Sequence, residues 1–198
     1  MKKSNNLFTQ IVDALVSDGF IIVENALESD LPKELLTTAQ NINTFTQAGI
    51  SQSSNQHIDN NKRRDKIKWL DEDNASQSEY LKFTNTLKET LNQELYMGIK
   101  YYESHFSIYD EGDFYEKHLD AFKGNKNRVV TTVYYLNNEW DKKDGGELII
   151  YDEEHRHLTT VSPKANTLVV FLSDKFPHEV LVAKKRRFSI AGWFRIDK

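Results

Sequence analysis

The chain has no cysteine and six histidines. Any metal it holds must therefore be bound by His, Asp or Glu, and disulfides, thiolate zinc sites, iron–sulfur clusters and cysteine nucleophiles are excluded. The histidines are not equivalent. Only His118 is followed two residues on by a carboxylate in a segment that can be extended, His118-Leu119-Asp120. On a strand, positions i and i+2 point to the same face, so one imidazole and one carboxylate can reach a common ion while a third ligand comes from a distant strand. His178, after Phe176-Pro177 and before Glu179-Val180, stands at such a strand entry. Two His and one carboxylate make the facial set that leaves open positions on Fe(II) for an oxidant and a co-substrate. His-x-Asp alone is a common dipeptide pattern, and an isolated His is more often a packed or surface residue, so the elements that carry these residues have to decide.

Those elements read as helices followed by strands. Leu7, Ile11, Ala14 and Leu15 share a helical face, with Ser4 and Asn5 as caps and Gly19 as a stop. A strand, Gly19 to Val23, follows. Ser29-Asp30 and Pro32 announce a second helix that turns Leu35, Leu36, Ala39 and Ile42 inward. The polar stretch from Thr44 to Arg64 reads as a long loop. A third helix, Ser76 to Leu95, carries Tyr80, Leu81, Leu87, Leu91 and Leu95 near one stripe. Beyond Lys100 come β-branched and aromatic runs parted by Gly, Asn and Asp: Tyr101 to Tyr109, Arg128 to Leu136, Glu147 to Tyr151, Leu158 to Val161, Thr167 to Leu172 and Arg187 to Ile196. Strands without intervening helices predict a mainly β sandwich, barrel or jelly roll with the N-terminal α-helices packed outside one sheet. The organisation expected is one integrated domain, with residues 1–99 as a helical support region including a polar loop and residues 100–198 as the β core.

Composition agrees with this outline. In 198 residues, 12% are aromatic, including nine Tyr and eleven Phe, enough large apolar surface for a sizeable core. The net charge of −4 gives no reason to expect nucleic acid or an anionic membrane as the main partner. The first residues lack a signal-peptide core and no stretch approaches a membrane span, so the expectation is a soluble cytoplasmic protein.

Read in order, the motifs resemble a known family. They are Tyr109-x-x-Gly112-x-Phe114-Tyr115-x-x-His118-x-Asp120, then Thr132-Val133-Tyr134-Tyr135-Leu136-Asn137, Gly145-Gly146-Glu147-Leu148, Pro177-His178-Glu179-Val180, and Arg187-x-Ser189-Ile190-x-x-Trp193. This set is similar to the 2-oxoglutarate- and Fe(II)-dependent oxygenases, and within them to the prolyl 4-hydroxylase branch that includes the hypoxia-inducible-factor prolyl hydroxylases. Arg63-Arg64-Asp65-Lys66-Ile67-Lys68-Trp69-Leu70 also resembles an Arg-x-Asp-x-Ile-x-Trp segment of that branch. The resemblance spans Arg63 to Asp197 and implies a double-stranded β-helix (jelly roll). It further implies that His118, Asp120 and His178 bind Fe(II), that Arg187 binds the distal carboxylate of 2-oxoglutarate, that Tyr135 adds a hydroxyl there, and that Tyr109 reaches the co-substrate near the metal.

A guanidinium is a planar fork that matches a carboxylate and stays charged at ordinary pH. Strand alternation puts Arg187, Ser189, Ala191 and Trp193 on one face and turns Arg186 away. Without the resemblance, Lys184 to Arg187 would read as a solvated basic turn. Tyr134 is expected on the face opposite Tyr135, packing the core. His155 and His157, beside Asp152, Glu153 and Glu154, read as an exposed acidic hairpin. His57 falls in the polar loop, and His105 reads as a packed or hydrogen-bonded imidazole.

The resemblance implies O2 as second co-substrate, L-ascorbate as a supporting reductant as in many relatives, and decarboxylation of 2-oxoglutarate to succinate and CO2. The implied partner is a proline-containing protein or peptide. No nucleic acid and no membrane are expected, since the basic runs at Lys62 to Arg64 and Lys123 to Arg128 lack aromatic stacking platforms, and the oligomeric expectation is a monomer or weak homodimer. Two alternatives stay open: the same chemistry on a free amino acid or other small molecule, and a noncatalytic jelly roll that binds a protein or sugar.

Overall fold

The computed structural model describes residues 2–28, 30–51, 56–57, 59–121 and 127–197. Helix α1 spans Lys2–Ser17, α2 Leu31–Asn41 and α3 Ala75–Leu95. The strands are β1 (Phe20–Glu24), β2 (Thr46–Gln47), β3 (Ile50–Ser51), β4 (Gln56–His57), β5 (Lys66–Trp69), β6 (Tyr101–Tyr109), β7 (Tyr115–His118), β8 (Arg128–Tyr135), β9 (Leu148–Tyr151), β10 (His157–Val161), β11 (Thr167–Leu172), β12 (His178–Val180) and β13 (Arg187–Arg195). Seven of them form an antiparallel sheet in the order β1-β11-β8-β13-β6-β5-β2, and four more form a second sheet, β10-β9-β12-β7. This is the jelly roll with helices on one sheet.

Alternation along the central strands of the large sheet creates two apolar layers. Val130, Tyr134, Leu168, Val170, Phe188, Ile190 and Phe194 face outward and pack with Ile11, Leu15, Leu35, Tyr80, Leu87 and Leu91 of the helices. The intervening Val133, Tyr135, Val169 and Phe171 face the small sheet and meet Leu148, Ile150 and Val180. Period 2 on β8, β11 and β13 thus separates a helix-facing core from an inter-sheet layer, and the candidate site occupies the second.

Several local expectations change. Helix α1 begins before Ser4 and Asn5, so they belong to the helix and do not cap it. Ser29 lies outside the described residues; Asp30 is the N-cap of α2, with Pro32 just inside, and Ile42 is its C-cap. On α3 the cap is Asn74, whose side chain accepts from the backbone N–H of Ser76 and Gln77. Its buried stripe runs Tyr80, Thr84, Leu87, Leu91. Thr84 takes the place expected for Leu81, because 80, 84, 87 and 91 fit one helical face more closely than 81 does. The polar stretch 44–64 contains the short strands β2, β3 and β4, of which β2 pairs with the edge of β5. Among the described residues no helix is long and apolar enough to cross a membrane.

Candidate metal centre and its buried cation

Strand β7 ends at His118, β12 begins at His178, and the two residues face each other in register. The extended reading of His118-Leu119-Asp120 needs one correction: Asp120 lies past the strand end, in a bend. It still reaches the same point, because Thr131 on β8 donates to its Oδ2 at 2.8 Å and Thr131 in turn pairs with Ser173 at 2.9 Å. A turn carries the carboxylate where simple alternation would have put it. The ligand atoms of His118, Asp120 and His178 all lie within 4.8 Å of one another. His118 Nε2 is 3.8 Å and His178 Nε2 3.5 Å from the Asp120 carboxylate.

Each imidazole is oriented through its other nitrogen. His118 Nδ1 lies 2.7 Å from the Glu116 carbonyl and His178 Nδ1 3.0 Å from that of Phe176. A carbonyl only accepts, so Nδ1 carries the proton in both rings and each Nε2 presents a lone pair to the shared point. Tyr115 stacks on His118 at 3.6 Å between centroids, and Phe171 meets His178 edge-on at 4.8 Å. Burial, reinforced by the neighbouring His178, holds His118 down to about 3, so it is neutral at physiological pH. Burial opposes ionisation of Asp120, but His178, His118, Arg128 and the Thr131 hydrogen bond outweigh it and bring that carboxyl down to about 2. Two imidazoles that each present Nε2 and one ionised carboxylate form a donor set that fits Fe(II).

Arg187, the first residue of β13, lines the same cavity with Ser189, Ala191 and Trp193. It is 1% exposed. Its Nη1 donates to Ser189 Oγ at 3.2 Å, and the guanidinium carbon lies 4.7 Å from the Tyr109 ring centre and 5.0 Å from that of Tyr135. Among the described residues it has no acidic partner, and its Nε and the Tyr135 hydroxyl are buried without hydrogen-bond partners. A buried cation without a counter-ion is costly unless an anion joins it. The unmet donors beside a metal-type triad fit the far carboxylate of a dicarboxylic oxoacid. Burial raises the phenols of both Tyr109 and Tyr135, keeping them neutral.

Tyr109 lines the cavity; Tyr135, expected there too, does not and packs against the Arg187 guanidinium instead. Arg186 turns to solvent and pairs with Asp110 at 2.6 Å. Tyr134 packs in the helix-facing core. His105 is buried, 3.1 Å from Ser107 Oγ and between Trp69 and Trp193. His155 lies in the connection from β9 to β10, and His157 is the first residue of β10. Side-chain placement of His57 and residues 123–126 of the basic run lie outside the described residues. Arg63, which heads the Arg63–Leu70 segment, and Arg128, which ends the loop after Asp120, both expected at the substrate-recognition edges, line the cavity, and so does Thr131, to which the sequence assigns no role. Arg63 makes a two-pronged bond to buried Asp65 and lies over Tyr115. Arg128 pairs with Glu103 and lies over Trp193. Counting in twos back from Tyr135 puts Thr131 on the inner face of β8 without revealing its grip on Asp120, whereas the Arg-x-Asp segment marks Arg63.

Residues 104–195 match the family model of the 2OG-Fe(II) oxygenase superfamily. The chain is similar to a Pseudomonas putida prolyl-4-hydroxylase structure, with 34% identity and TM-score 0.88 over 96% of this chain and 99% of that one. It is similar to a Trichoplax adhaerens prolyl hydroxylase solved with a hypoxia inducible factor oxygen degradation domain peptide fragment, at 28% identity and TM-score 0.88 over 98% of this chain and 91% of that one. A Caenorhabditis elegans hypoxia-inducible factor prolyl hydroxylase is 29% identical over 95% of this chain, which spans only 28% of that protein's length. Ligand-type triad, uncompensated buried arginine, jelly-roll topology and end-to-end similarity to a prolyl-4-hydroxylase agree, and the chain belongs to the prolyl hydroxylase branch of the 2OG-Fe(II) oxygenase superfamily.

Proposed function

We propose that this protein hydroxylates a prolyl residue of a protein or peptide, using Fe(II), 2-oxoglutarate and O2. The observation that carries the reading is the convergence of His118, Asp120 and His178 in one cavity with Arg187, a buried cation that has no acidic partner among the described residues. His118, Asp120 and His178 hold the metal. Arg187, packed against the Tyr135 ring, holds the distal carboxylate of 2-oxoglutarate, and Tyr109 borders the co-substrate. When bound, Fe(II) and the oxoacid supply O2 activation, with the oxoacid leaving as succinate and CO2 and one oxygen atom passing to the substrate C–H bond.

The chain's own residues do the rest. Backbone carbonyls of Glu116 and Phe176 keep the ligating imidazoles in one tautomer. Thr131 keeps the carboxylate turned inward. Leu148, Val180, Val133 and Trp193 line the cavity and exclude water, which strengthens the pairing between Arg187 and a carboxylate. The peptide substrate is supported by the similarity to prolyl hydroxylases, one of them solved with a peptide. The proposed enzyme works in the cytoplasm as a monomer or weak homodimer, with residues 1–99 supporting a 100–198 catalytic core.

The test is mass spectrometry of cell lysate incubated with the iron-loaded protein. The expected result is a 2-oxoglutarate-dependent gain of one oxygen on a prolyl peptide, coupled to succinate release. Succinate release coupled only to free amino acids would replace the peptide assignment. Full turnover by His118→Ala or Asp120→Ala, both expected to abolish it with the fold retained, would overturn the ligand assignment. Arg187→Ala should lose 2-oxoglutarate affinity and keep metal binding.

A further inference from the structure

The ladder between β8 and β13 pairs residues from Arg195 with Arg128 up to Ser189 with Tyr135, and there it stops. Arg187 lies two residues beyond the stop. On its other side Arg187 is paired with Tyr109 of β6, but on the β8 side the backbone contact dwindles to Leu136 N–H donating to the Phe188 carbonyl at 3.3 Å. A side chain then takes over. Asn137 Oδ1 accepts from the Phe188 N–H at 2.6 Å, and its Nδ2 donates to the Phe188 carbonyl at 2.9 Å and to the Pro163 carbonyl at 2.7 Å. The Asn137 carbonyl meanwhile accepts from the Ala165 N–H at 2.7 Å. The buried amide thus acts as one more rung of the sheet, gripping both backbone polar groups of the residue between Arg187 and Ser189 and tying them to the Pro163–Ala165 loop.

A third side of Arg187 is set by a glycine. A Cβ built on Gly146 would lie 3.1 Å from the Arg187 Cδ, close enough to press on the arginine stem, and the Gly146 φ of +70° would strain any side chain placed there. The stem of the guanidinium is therefore confined between the Gly146 backbone and a strand end whose last fastening is the Asn137 amide. We propose that Asn137 is a positioning residue: it fixes the start of β13 so that Arg187 meets the distal carboxylate of the co-substrate, and it sets affinity for that carboxylate without touching the metal. The inference rests on the assignment of Arg187 to 2-oxoglutarate made above.

Asn137→Asp preserves shape and the acceptor for Phe188 N–H but removes both donors and sets a carboxylate against two carbonyl oxygens. Asn137→Ser is the second variant, smaller and uncharged. The test is titration calorimetry of the full chain with Mn(II), then of the Mn(II)-loaded protein with 2-oxoglutarate and, separately, with 2-oxobutyrate, which has the oxoacid head but no distal carboxylate. The expected result is about tenfold or greater loss of 2-oxoglutarate affinity in either variant, with Mn(II) affinity and 2-oxobutyrate binding within about twofold of the parent. Equal loss for both oxoacids, or weakened Mn(II) binding, would mean that Asn137 supports the fold generally and overturns the proposal. Unchanged 2-oxoglutarate affinity overturns it too. Arg187→Gln in parallel separates the two layers. If it leaves 2-oxoglutarate affinity intact, the assignment of Arg187 itself fails; if it loses affinity while the Asn137 variants do not, only the positioning role fails.

Discussion

Thr131 holds a position out of proportion to its size. It has one hydroxyl proton, given to Asp120 at 2.8 Å, so the 2.9 Å contact with Ser173 is a bond it accepts. Thr131→Val is nearly isosteric, yet it leaves a carboxylate lone pair unpaired and a serine donor without its acceptor. Loss of a hydrogen bond that orients a ligating group weakens metal binding by about 10- to 100-fold, and that is the expected result in a Mn(II) titration. The stability cost should be about 1–3 kcal/mol by urea denaturation. Thr131→Ser keeps the hydroxyl and should recover most of the metal affinity. Arg187→Lys makes a complementary case. It retains charge but not the fork, so it should weaken 2-oxoglutarate, read by KM, more than tenfold while leaving the Mn(II) titration unchanged.

At the scale of elements, α3 supports the sheet from outside the cavity, and its cap can be tested apart from chemistry. Asn74 Oδ1 accepts from Ser76 N–H at 2.9 Å and Gln77 N–H at 3.3 Å. Asn74→Ala should cost about 1 kcal/mol in urea denaturation with KM for 2-oxoglutarate unmoved. Legibility in the sequence follows how each element is held. β6 and β11 match their expected limits, Tyr101–Tyr109 and Thr167–Leu172, because uninterrupted aromatic and β-branched runs declare themselves. β7, Tyr-Glu-Lys-His, has no such run; its extended form comes from β12 on one edge and from Lys62 to Arg64 on the other, where Arg64 N–H reaches Phe114 and Glu116 N–H reaches Lys62. The two-residue strands β2 to β4 likewise depend on partners rather than on propensity. In the site, the three ligand-type residues and Arg187 are legible through the ordered set of motifs that resembles the oxygenases, since His-x-Asp and a basic run are each common on their own. Thr131 and Asn137 are not, since a strand threonine and a turn asparagine are ordinary until the structure reveals what they grip.

For the whole molecule, the charges taken inside decide how it responds to acid. His105 is 1% exposed. Burial, followed by the positive charge of Arg63, brings its pKa down to about 3, against a countering pull from Asp65. In the unfolded chain the same imidazole titrates near 6.5. Below that value the unfolded state takes up a proton that the native state refuses, so acid favours unfolding; above it both forms are neutral and the term vanishes. Stability from this group is therefore complete above about pH 6.5 and declines toward about 3, by roughly 1.4 kcal/mol per pH unit once well below 6.5. Asp120 acts lower: its folded value of about 2 means that its contribution is lost only as pH falls below the ordinary carboxylate range. Between pH 5.5 and 4 the two windows separate. His118 contributes in the same direction as His105 when no metal is bound, since burial holds it down to about 3 as well. Metal-free parent and His105→Gln proteins, unfolded by urea across that interval, should therefore differ in the pH slope of stability by roughly 1.4 kcal/mol per unit, the variant being the flatter. Parallel slopes would mean that native His105 takes up its proton as readily as in the unfolded chain, which its enclosure between Trp69 and Trp193 does not allow.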